Sequence, residues 1–551
     1  MRYEYLELSY RLAHDGAALQ TITLLLSGLE AGAAHWSRQS NLDVGVSLDD
    51  PGVVAVSVVA HEAVRLQSCA LTLGHDFAED ESVLMNGYQS WTDTHPHTVH
   101  ERMRGLNGVA PSVVKSFSLD GSGDYRFVDY ADSPGCFHGF TYAAFSHRVG
   151  LAHPTWLVAS LDESGGFTLV RADASRQAVT VEFECPVSSL HAGDEYVVGK
   201  FAVLSTVDAP DGVIDVALYD RWFSLANVKA RPVKPLVGYT SWYRHYANIS
   251  EGALRADLEG ACAVLEDVRD LDVRAVFQID DGFCKVGDWL DVDEQRFPEG
   301  LAPLAQSIRT AGLTPGLWLA PFVCERESRL FSEHPDWLLR DDDGNLCDTG
   351  SHWSGGVALD IANPDVCAYV SDVVRTVVED WGFGLLKLDF LYGACMVAHA
   401  GCNRGELMAK GIDLLREAAG EECLLLGCGV PLGSAFGKLD YCRVGCDMGL
   451  GWDGDFVLRH LQRERVSTRN SLFNTVARCP LDGRAFGNDP DVFFLRREGL
   501  RLSLEQRQML IGSAASFASV LLTSDDMGAW DKTQREWFRA AVEILAERKC
   551  V

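Results

Sequence analysis

Alternation of apolar and polar residues dominates residues 1–210. In the stretch AVTVEFEC at 178–185 the alternation is strict, which is typical of a strand with one buried and one exposed face. The runs VVAVSVV from Val53 and FTLVRAD from Phe167 have a similar texture, and turn-rich breaks such as DGSGD at 120–124 separate such runs. The pattern predicts a large antiparallel β-sandwich over 1–210.

The periodicity changes near residue 210. From Ile214 to Ala230 the apolar spacing is helical, and the segment ARPVKP then brings two prolines, which cannot continue a helix. We therefore expect a linker helix within 211–235 and a domain boundary there.

Beyond residue 235, short apolar runs alternate with amphipathic helices. Ser250 and the pair Asn363-Pro364 are typical helix starts. Eight candidate strands begin at Leu236, Ala275, Gly316, Leu385, Leu424, Tyr441, near Arg484 and at Ser519, and the last helix is expected over about 531–549. Eight strand-helix units favour a closed parallel (β/α)8 TIM barrel over an open doubly wound sheet. The predicted fold is thus multidomain, with the barrel over 236–551.

Composition and charge narrow the functional classes. The chain has 551 residues, of which 47% are hydrophobic and 23% charged, as in a soluble globular protein. With 78 acidic and 48 basic residues its net charge is −30, which disfavours nucleic acid and anionic membrane surfaces as partners. A homo-oligomer is compatible with all of these properties.

The sixteen cysteines and the N-terminal residues bear on location. The cysteines are scattered among apolar neighbours rather than spaced as a disulfide framework, and no C-x-x-C pair accompanies Cys428, Cys442 and Cys446. The first residues, MRYEYLELSYRLAHDG, lack the features of a signal peptide, and LLL at 24–26 is too short to span a bilayer. We expect a cytoplasmic protein with buried thiols.

Charged residues collect at the ends of four predicted strands. These are Asp280 and Asp281, Lys387 and Asp389, Arg443 and Asp447, and Asp525 and Asp526. A carboxylate directly after a buried strand is costly to desolvate unless it is paired or functional. Because the carboxyl ends of barrel strands meet at one face, their recurrence predicts an active site there.

Lys387 and Asp389 lie two residues apart on one strand, so their side chains share a face and could touch. The ammonium would then favour an ionised Asp389, as a nucleophile needs. A buried ion pair that closes a layer of the barrel is the structural alternative.

Asp447 follows two strands later and could face Asp389 across the barrel mouth. A separation of roughly 5 Å between the two carboxyl groups would imply a covalent retaining mechanism, and about 6.5–9.5 Å would imply inversion. Trp242, Tyr243, Trp318 and Trp452 lie beside the strand-end acids, and rings next to carboxylates suit a sugar, although each could equally be core packing.

These residues carry a family resemblance. The motifs, in chain order, are VGYTSWYRHYANIS, VFQIDDGF, GLWLAPF, LLKLDFLYGA, YCRVGCDMG and NDPDVFFLR. They resemble glycoside hydrolase family 36, the bacterial α-galactosidases and α-N-acetylgalactosaminidases, over nearly the whole predicted barrel. A large β-sandwich before the barrel also fits this family, and NGYQSW at 86–91 resembles the loop by which that domain reaches the active site.

The resemblance implies a retaining α-glycosidase acting by double displacement on an oligosaccharide or glycoside, without metal or organic cofactor. Asp389 would be the nucleophile and Asp447 the acid/base, and Asp280 and Asp281 would bind the C4 and C6 hydroxyls of the terminal sugar. The remaining implied site residues are Trp91, Trp318 and Tyr243 around the sugar, Lys387 beside the nucleophile, and Arg443 near the C2 substituent.

Two departures from the family keep alternatives open. The chain stops at its last predicted helix, where family members usually continue into a small β domain. Cys446, followed by Asp-Met-Gly, stands where related enzymes carry other residues and borders the position that separates a 2-hydroxyl from a 2-acetamido group. An α-N-acetylgalactosaminidase or α-galactosaminidase on the same scaffold is therefore the alternative to a galactosidase.

Two further classes are compatible with the residues. In a metal-dependent barrel lyase or isomerase, Asp280, Asp281 and Asp389 would hold magnesium and Lys387 would act as base. Adjacent aspartates on a regular strand point to opposite faces, which disfavours that chelate. A carbohydrate-binding protein without activity is disfavoured because both candidate catalytic acids are present.

Overall fold

The computed structural model describes residues 1–14, 16–50, 52–105, 121–146, 156–206, 216–453 and 462–548. The strands before residue 206 are β1 (Arg2–Leu12), β2 (Gln20–Leu25), β3 (Ala33–Ser37), β4 (Leu42–Asp50), β5 (Val53–Ala60), β6 (Val64–Gly74), β7 (Ser82–Met85), β8 (Pro96–Thr98), β9 (Cys136–Phe140), β10 (Tyr142–Ser146), β11 (Trp156–Ser160), β12 (Thr168–Asp173), β13 (Ala178–Phe183) and β14 (Glu195–Ser205).

These strands form two antiparallel sheets. One has the order β2-β1-β6-β13-β12-β9, and the other has the order β3-β4-β5-β14-β11-β10-β7-β8. Leu6 and Val181 of the first sheet share one core with Val56 and Phe201 of the second, so the sheets pack face to face. The strands predicted near residues 53, 167 and 178 are present as β5, β12 and β13.

A helix, α1 (Val216–Leu225), joins the two halves of the chain. The fully buried Trp222 of this helix donates a hydrogen bond from Nε1 to the carbonyl of Ser160 at 2.6 Å, which fixes the helix against the sandwich. The predicted linker helix was longer, since helical structure ends at Leu225 and Asn227 adopts φ +53°. Residues 211–215 of that prediction lie outside the described residues, and the exact domain bounds stay a prediction.

The remaining strands are β15 (Leu236–Thr240), β16 (Arg274–Ile279), β17 (Thr314–Leu319), β18 (Val323–Glu325), β19 (Asp348–Gly350), β20 (Gly356–Ala358), β21 (Leu385–Leu388), β22 (Leu424–Gly427), β23 (Tyr441–Arg443), β24 (Gly487–Asp489), β25 (Val492–Phe493) and β26 (Val520–Thr523). Nine of them form a parallel sheet in the order β24-β23-β22-β21-β17-β16-β15-β26-β25. All eight predicted strands are present, and the seventh is split into β24 and β25 around Pro490 and Asp491. Because these two short strands occupy opposite edges of the sheet, the sheet curls strongly.

The helices of this half are α2 (Trp242–His245), α3 (Glu251–Leu265), α4 (Ala302–Thr310), α5 (Arg329–Glu333), α6 (Pro364–Arg375), α7 (Arg404–Ala419), α8 (Leu432–Ala435), α9 (Thr468–Ala477), α10 (Leu504–Phe517) and α11 (Lys532–Arg548). The predicted N-caps are correct, since the Ser250 side chain accepts from the Ala253 N–H and the Asn363 side chain from the Asp365 N–H. None of the helices in the described parts of the chain is long and apolar enough to cross a membrane.

A small antiparallel sheet follows the third strand of the parallel sheet and was not predicted. It has the order β18-β20-β19, and its strands are three residues each, too short for a periodic signal. Its turn between β19 and β20 carries residues 351–355 to the carboxyl end of the parallel sheet.

Candidate active site

A cavity of about 200 Å³ opens at the carboxyl end of the parallel sheet. Nine residues singled out from the sequence contribute to its wall: Trp91, Trp242, Tyr243, Asp280, Asp281, Trp318, Lys387, Asp389 and Asp447. Residues far apart in the chain meet here because parallel strands expose their carboxyl ends on the same side. The wall combines aromatic rings with carboxylates, as a sugar site requires.

Asp389 follows directly after β21, and its side chain is firmly held. Its Oδ2 accepts a hydrogen bond from Nε1 of Trp318 at 3.0 Å, and its Oδ1 accepts from the backbone N–H of Phe390 at 2.9 Å. Phe390 has a left-handed backbone with φ +52°, uncommon for a bulky residue. Asp389 is 8% exposed, so its carboxylate is buried but still reaches the cavity.

Lys387 is paired differently from the expectation. Its Nζ contacts Oδ2 of Asp280 at 2.7 Å, whereas the hydrogen bonds of Asp389 come from Trp318 and Phe390. Burial alone would lower the pKa of Lys387, but the attraction of Asp280 outweighs it and raises the pKa above its ordinary value. Lys387 is thus a cation on β21, and its direct partner Asp280 follows β16, which lies two strands away in the sheet.

Asp280 and Asp281 both reach the cavity, although adjacent residues on a regular strand would point apart. The reason is that β16 ends at Ile279, so both acids lie beyond the strand. The Asp280 N–H donates to Oγ of Ser241 at 2.9 Å, and Nε1 of Trp353 donates to Oδ2 of Asp281 at 2.7 Å. Burial, with a contribution from the Asp280 charge, raises the pKa of Asp281 to about 6.

Asp447 lies four residues beyond the end of β23 and is the more open of the two candidate catalytic acids. Its side chain is 43% exposed, and its Oδ1 accepts a hydrogen bond from Nη1 of Arg443 at 3.0 Å. Arg443 also contacts Asp489 at 3.2 Å and Asp491 at 3.0 Å. One buried guanidinium therefore holds three carboxylates, and this balance raises the pKa of Arg443 despite its burial.

Asp491 links this arginine cluster to the aromatic wall. Its Oδ2 accepts hydrogen bonds from Oη of Tyr243 and from the Met448 backbone N–H, the latter at 2.8 Å. Burial and the neighbouring Asp447 charge raise the pKa of Asp491, against the pull of Arg443. The motif NDPD was part of the family resemblance in the sequence, but the sequence did not indicate which side chains Asp491 would contact.

Several predicted residues lie outside the cavity wall. Arg443 sits beneath the cavity, and Cys446 is fully buried with Sγ near the carbonyl of Ser467 at 3.4 Å. Their predicted places near the C2 substituent stay predictions. Asp525 and Asp526 do not line the cavity either: Asp525 accepts from the N–H groups of Leu495 and Arg496, and Asp526 pairs with Arg244.

The N-terminal half supplies one side of the cavity through the segment 86–94, which contains NGYQSW. The Trp91 ring lies 5.1 Å from the Phe390 ring in a T-shaped contact, and its Nε1 donates to Sγ of Cys428 at 3.1 Å. Ser90 is joined to the barrel through Oγ, which accepts from the Gly429 N–H at 2.9 Å. The structure thus places Trp91 against the strand-end residues.

Arg478, which follows α9, anchors that segment. It is fully buried and donates to Oδ1 of Asn86 at 2.9 Å, to the carbonyl of Ser90 at 2.7 Å and to the carbonyl of Val444 at 2.9 Å. Val444 adjoins Arg443, so the same side chain ties the Trp91 segment to the strand that leads to Asp447. Sequence reasoning missed Arg478 because all three partners are far from it in the chain, by 34 positions for Val444 and by 388 and 392 for Ser90 and Asn86.

Other wall residues also escaped the sequence analysis, notably Ser122, Trp353 and Glu464. Trp353 stands before the glycine pair of HWSGG, a turn signal that could have been noticed. Glu464 is 7% exposed and accepts a hydrogen bond from Oγ1 of Thr92 at 2.7 Å. Burial raises the pKa of Glu464 to about 7.

The carboxylates of Asp280, Asp281 and Asp389 contact N–H and ammonium groups of the protein and are not arranged as three ligands of one metal ion. Within the parts of the chain that the structure describes, Asp280, Asp281 and Asp389 are not a group with ligand atoms all within 4.8 Å of one another. One oxygen of Asp280 is moreover bound by an ammonium group. This geometry favours the sugar site over the magnesium chelate considered from the sequence.

Comparisons with known proteins agree with this geometry. Residues 262–402 match the Melibiase family. The chain is 31% identical over 110 residues to the α-galactosidase AgaA of Geobacillus stearothermophilus, covering 20% of this chain and 14% of AgaA. A second relative, the A type blood α-D-galactosamine galactosaminidase of Flavonifractor plautii, is 27% identical over 136 residues, covering 23% of this chain and 12% of that protein.

Solved structures extend the similarity over the chain. The α-galactosidase TtGalA of Thermus thermophilus, in complex with p-nitrophenyl α-D-galactopyranoside, superposes with a TM-score of 0.68 at 27% identity, covering 93% of this chain and 94% of TtGalA. The structure of the GH36 α-galactosidase AgaA from Geobacillus stearothermophilus gives a TM-score of 0.61 at 13% identity, over 98% of this chain and 75% of AgaA, which is a likeness of fold.

In fold, in the composition of the cavity wall and in the matched segments, the chain is similar to glycoside hydrolases of the α-galactosidase type. The resemblance to glycoside hydrolase family 36 that the sequence motifs indicated agrees with the match to the Melibiase family and with the similarity to these α-galactosidases. The sequence alignments span a small part of the curated relatives, 14% in the case of AgaA, so the activity of the whole protein is a matter for proposal.

Proposed function

We propose that this protein is a retaining α-glycosidase that hydrolyses terminal α-linked galactose-type residues. The observation that carries the proposal is the contrast between two carboxylates in one cavity: Asp389 is buried and held by two N–H donors, whereas Asp447 is half-buried and held by one arginine. A fixed, buried carboxylate suits a nucleophile, and an open one suits proton exchange with the leaving group and water.

In the proposed first step, a carboxylate oxygen of Asp389 attacks the anomeric carbon and the glycosidic bond breaks. Asp447 gives its proton to the departing oxygen, so the aglycone leaves as a neutral alcohol. In the second step, Asp447 takes a proton from water, and the resulting hydroxide displaces Asp389 from the anomeric carbon. Two inversions give net retention, and both carboxyl groups end as they began.

The remaining wall residues would hold the sugar. By family resemblance, Asp280 and Asp281 accept hydrogen bonds from the C4 and C6 hydroxyls, and Lys387 donates from the same side. Trp91 and Trp318 offer flat surfaces to the apolar face of the ring. TtGalA has been solved with p-nitrophenyl α-galactopyranoside and with stachyose, which supports a galactoside or oligosaccharide as substrate.

We propose that the curled sheet is a complete (β/α)8 barrel over 236–551, preceded by the sandwich over 1–210 and the linker over 211–235. Supporting closure, β24 pairs with β23, β25 pairs with β26, and two residues separate these edge strands. The scattered placement of the free thiols supports the proposed cytoplasmic location.

A galactosaminidase is the second candidate. It is favoured by the similarity to the Flavonifractor plautii enzyme and by Glu464, an additional carboxyl group in the cavity wall that could attract an amino group on the sugar. An α-N-acetylgalactosaminidase would need space for the acetamido group instead.

The test is a panel of aryl α-glycosides that differ at C2 and C4. We expect the galacto configuration to be turned over well above the gluco configuration, and proton NMR to show the α anomer as the first product. The 2-amino and 2-acetamido substrates then separate the candidates. If the enzyme releases the β anomer first, the retaining mechanism is wrong, and if no α-glycoside is hydrolysed, the proposed class of reaction is wrong.

A further inference from the structure

We propose that His95, His97 and Glu101 form a binding site for one divalent transition-metal ion of the zinc type, outside the cavity described above. Each of the three residues offers one ligand atom, and these atoms all lie within 4.8 Å of one another. Neutral imidazole and carboxylate are the ligands that zinc takes in proteins. None of the three belongs to the cavity wall.

Local structure brings the three side chains together. His97 lies on β8, the edge strand of the eight-stranded sheet, and pairs with Val83 of β7. His95 is two residues earlier, so on an extended chain its side chain shares a face with that of His97, and the two ring centroids are 4.3 Å apart. The turn after β8 returns Glu101, whose N–H donates to the Thr98 carbonyl at 3.0 Å.

The spacing of two of the ligands matches a tetrahedral ion. Nδ1 of His97 and Oε2 of Glu101 are 3.3 Å apart. Two ligands bound at about 2.0–2.1 Å in tetrahedral geometry stand roughly 3.3–3.4 Å from each other. A zinc ion could therefore replace the proton between these atoms with little movement of either side chain. Three protein ligands would leave a fourth position for water.

His95 is oriented as metal-binding histidines commonly are. Its Nδ1 is hydrogen-bonded to Oδ1 of Asp93 at 3.2 Å, which leaves Nε2 as the atom available for coordination. The nearby cation Arg463 is engaged elsewhere, with Nη1 at 3.6 Å from Asp124 and Nη2 donating to the Asp93 carbonyl at 3.1 Å. It thereby helps to fix Asp93 rather than occupying the cluster.

The proposed metal site is open to solvent on one side, and one of its ligands is packed against the protein. The side chains of His95 and Glu101 are 33% and 50% exposed, so an ion can enter from solvent. His97 is 11% exposed at its side chain and stacks on Phe137 with ring centroids 5.0 Å apart, which fixes one ligand. The net charge of −30 attracts cations to the surface in general.

The experiment is a Zn²⁺ titration of the full chain after chelator treatment and buffer exchange, by calorimetry in the presence of a reducing agent. We expect one equivalent of Zn²⁺ to bind the wild type at this site and to be lost in His95→Gln and in Glu101→Gln. Asp93→Asn, which alters the hydrogen-bond partner of His95 Nδ1, should retain the equivalent with about 10- to 100-fold weaker affinity. Circular dichroism without metal checks that each variant is folded.

Matched controls separate this site from other zinc binding. His61→Gln removes a similar histidine–carboxylate pair, 3.2 Å from Asp43, and should leave the titration unchanged. Co²⁺ should give a spectrum of nitrogen and oxygen ligation without thiolate charge-transfer bands. If both ligand variants bind Zn²⁺ as the wild type does, or if the Co²⁺ spectrum shows thiolates, the proposal is overturned and the three side chains form a hydrogen-bonded cluster only.

Discussion

The two sides of the cavity are built in different ways. On the side of the parallel sheet, charged side chains extend from strand ends and are held by one another, as in the Lys387–Asp280 pair and the contact of Arg443 with Asp447. On the N-terminal side, the segment 86–94 contributes the Trp91 ring and is held largely through its own carbonyl and hydroxyl groups, which meet Arg478 and Gly429. Ion pairs between charged side chains dominate one side, and hydrogen bonds to uncharged groups of the segment dominate the other.

This difference suggests that one side serves the chemical step and the other serves substrate binding. Charges on a rigid parallel sheet are fixed to the geometry that bond cleavage needs, so their loss should reduce the chemical step. A segment docked from another domain shapes the pocket, so its loss should chiefly weaken substrate binding. The following changes test whether the two sides separate in this manner.

The largest effect is expected at the proposed nucleophile. Asp389→Asn should lower kcat by about 10⁴-fold or more, since the covalent step is removed while the side-chain volume is kept. Rapid quench with an activated α-galactoside should also leave no sugar attached to the variant. Asp526→Asn, at a strand end outside the cavity, is the control and should stay within a few-fold of the wild type. Normal turnover in Asp389→Asn would contradict the assignment.

The next effect depends on the leaving group. Asp447→Asn should slow natural oligosaccharides by about 10²- to 10⁴-fold, because their leaving oxygen needs a proton. Aryl glycosides with acidic phenols should lose much less in the glycosylation step. The measurement is kcat/KM for a series of aryl glycosides whose phenol leaving groups differ in acidity. Equal losses across the series would show that Asp447 does not act as the acid.

On the N-terminal side, Arg478→Met should raise KM more than it lowers kcat. The change leaves the carbonyls of Ser90 and Val444 without their donor, and a displaced Trp91 should cost about 10²-fold in kcat/KM at most. Arg478→Lys should recover part of the loss, since an ammonium can still reach some acceptors.

A second buried arginine provides the control for this prediction. Arg507 donates to the carbonyls of Leu495 and Arg496, away from the cavity. Arg507→Met should lower thermal stability with KM unchanged. If Arg478→Met lowers kcat at constant KM, the segment acts on the chemical step and the proposed separation fails.

The smallest effect concerns pH. The pKa of Asp281 is raised to about 6, so its carboxylate gains a proton as the pH falls through that value. The neutral form accepts hydrogen bonds less well, and kcat/KM should therefore fall by about tenfold per unit below pH 6. Asp281→Asn should have a lower kcat/KM throughout, without this limb near pH 6. The same limb in the variant would assign it to another group.

Much of the fold could be predicted because its signals are local. Most strands of the parallel sheet are largely apolar runs, and Ser250 and Asn363 mark helix starts through a hydrogen bond within three residues. The small sheet β18-β20-β19 could not be found in this way, since strands of three residues show no periodicity. Trp353 was missed with it.

The candidate site was predictable at the level of residue types and their places on strands. The pairings were not, as Lys387 illustrates. Strand spacing puts Lys387 and Asp389 on one face, yet Lys387 contacts Asp280, which is 107 positions away in sequence. Which carboxylate lies closest depends on how the sheet curls, and that is a property of all its strands together.

The sequence by itself determined the order of the elements and the acids that follow the parallel strands. Both signals, the apolar periodicity and the polar residues at strand ends, depend only on residues that are neighbours in the chain. The tertiary structure decided the partners of those acids, the left-handed turn at Phe390 that gives Asp389 an N–H donor, and the docking of Trp91 through Arg478. Each of these joins groups far apart in the chain, and their energies depend on distances that only packing sets.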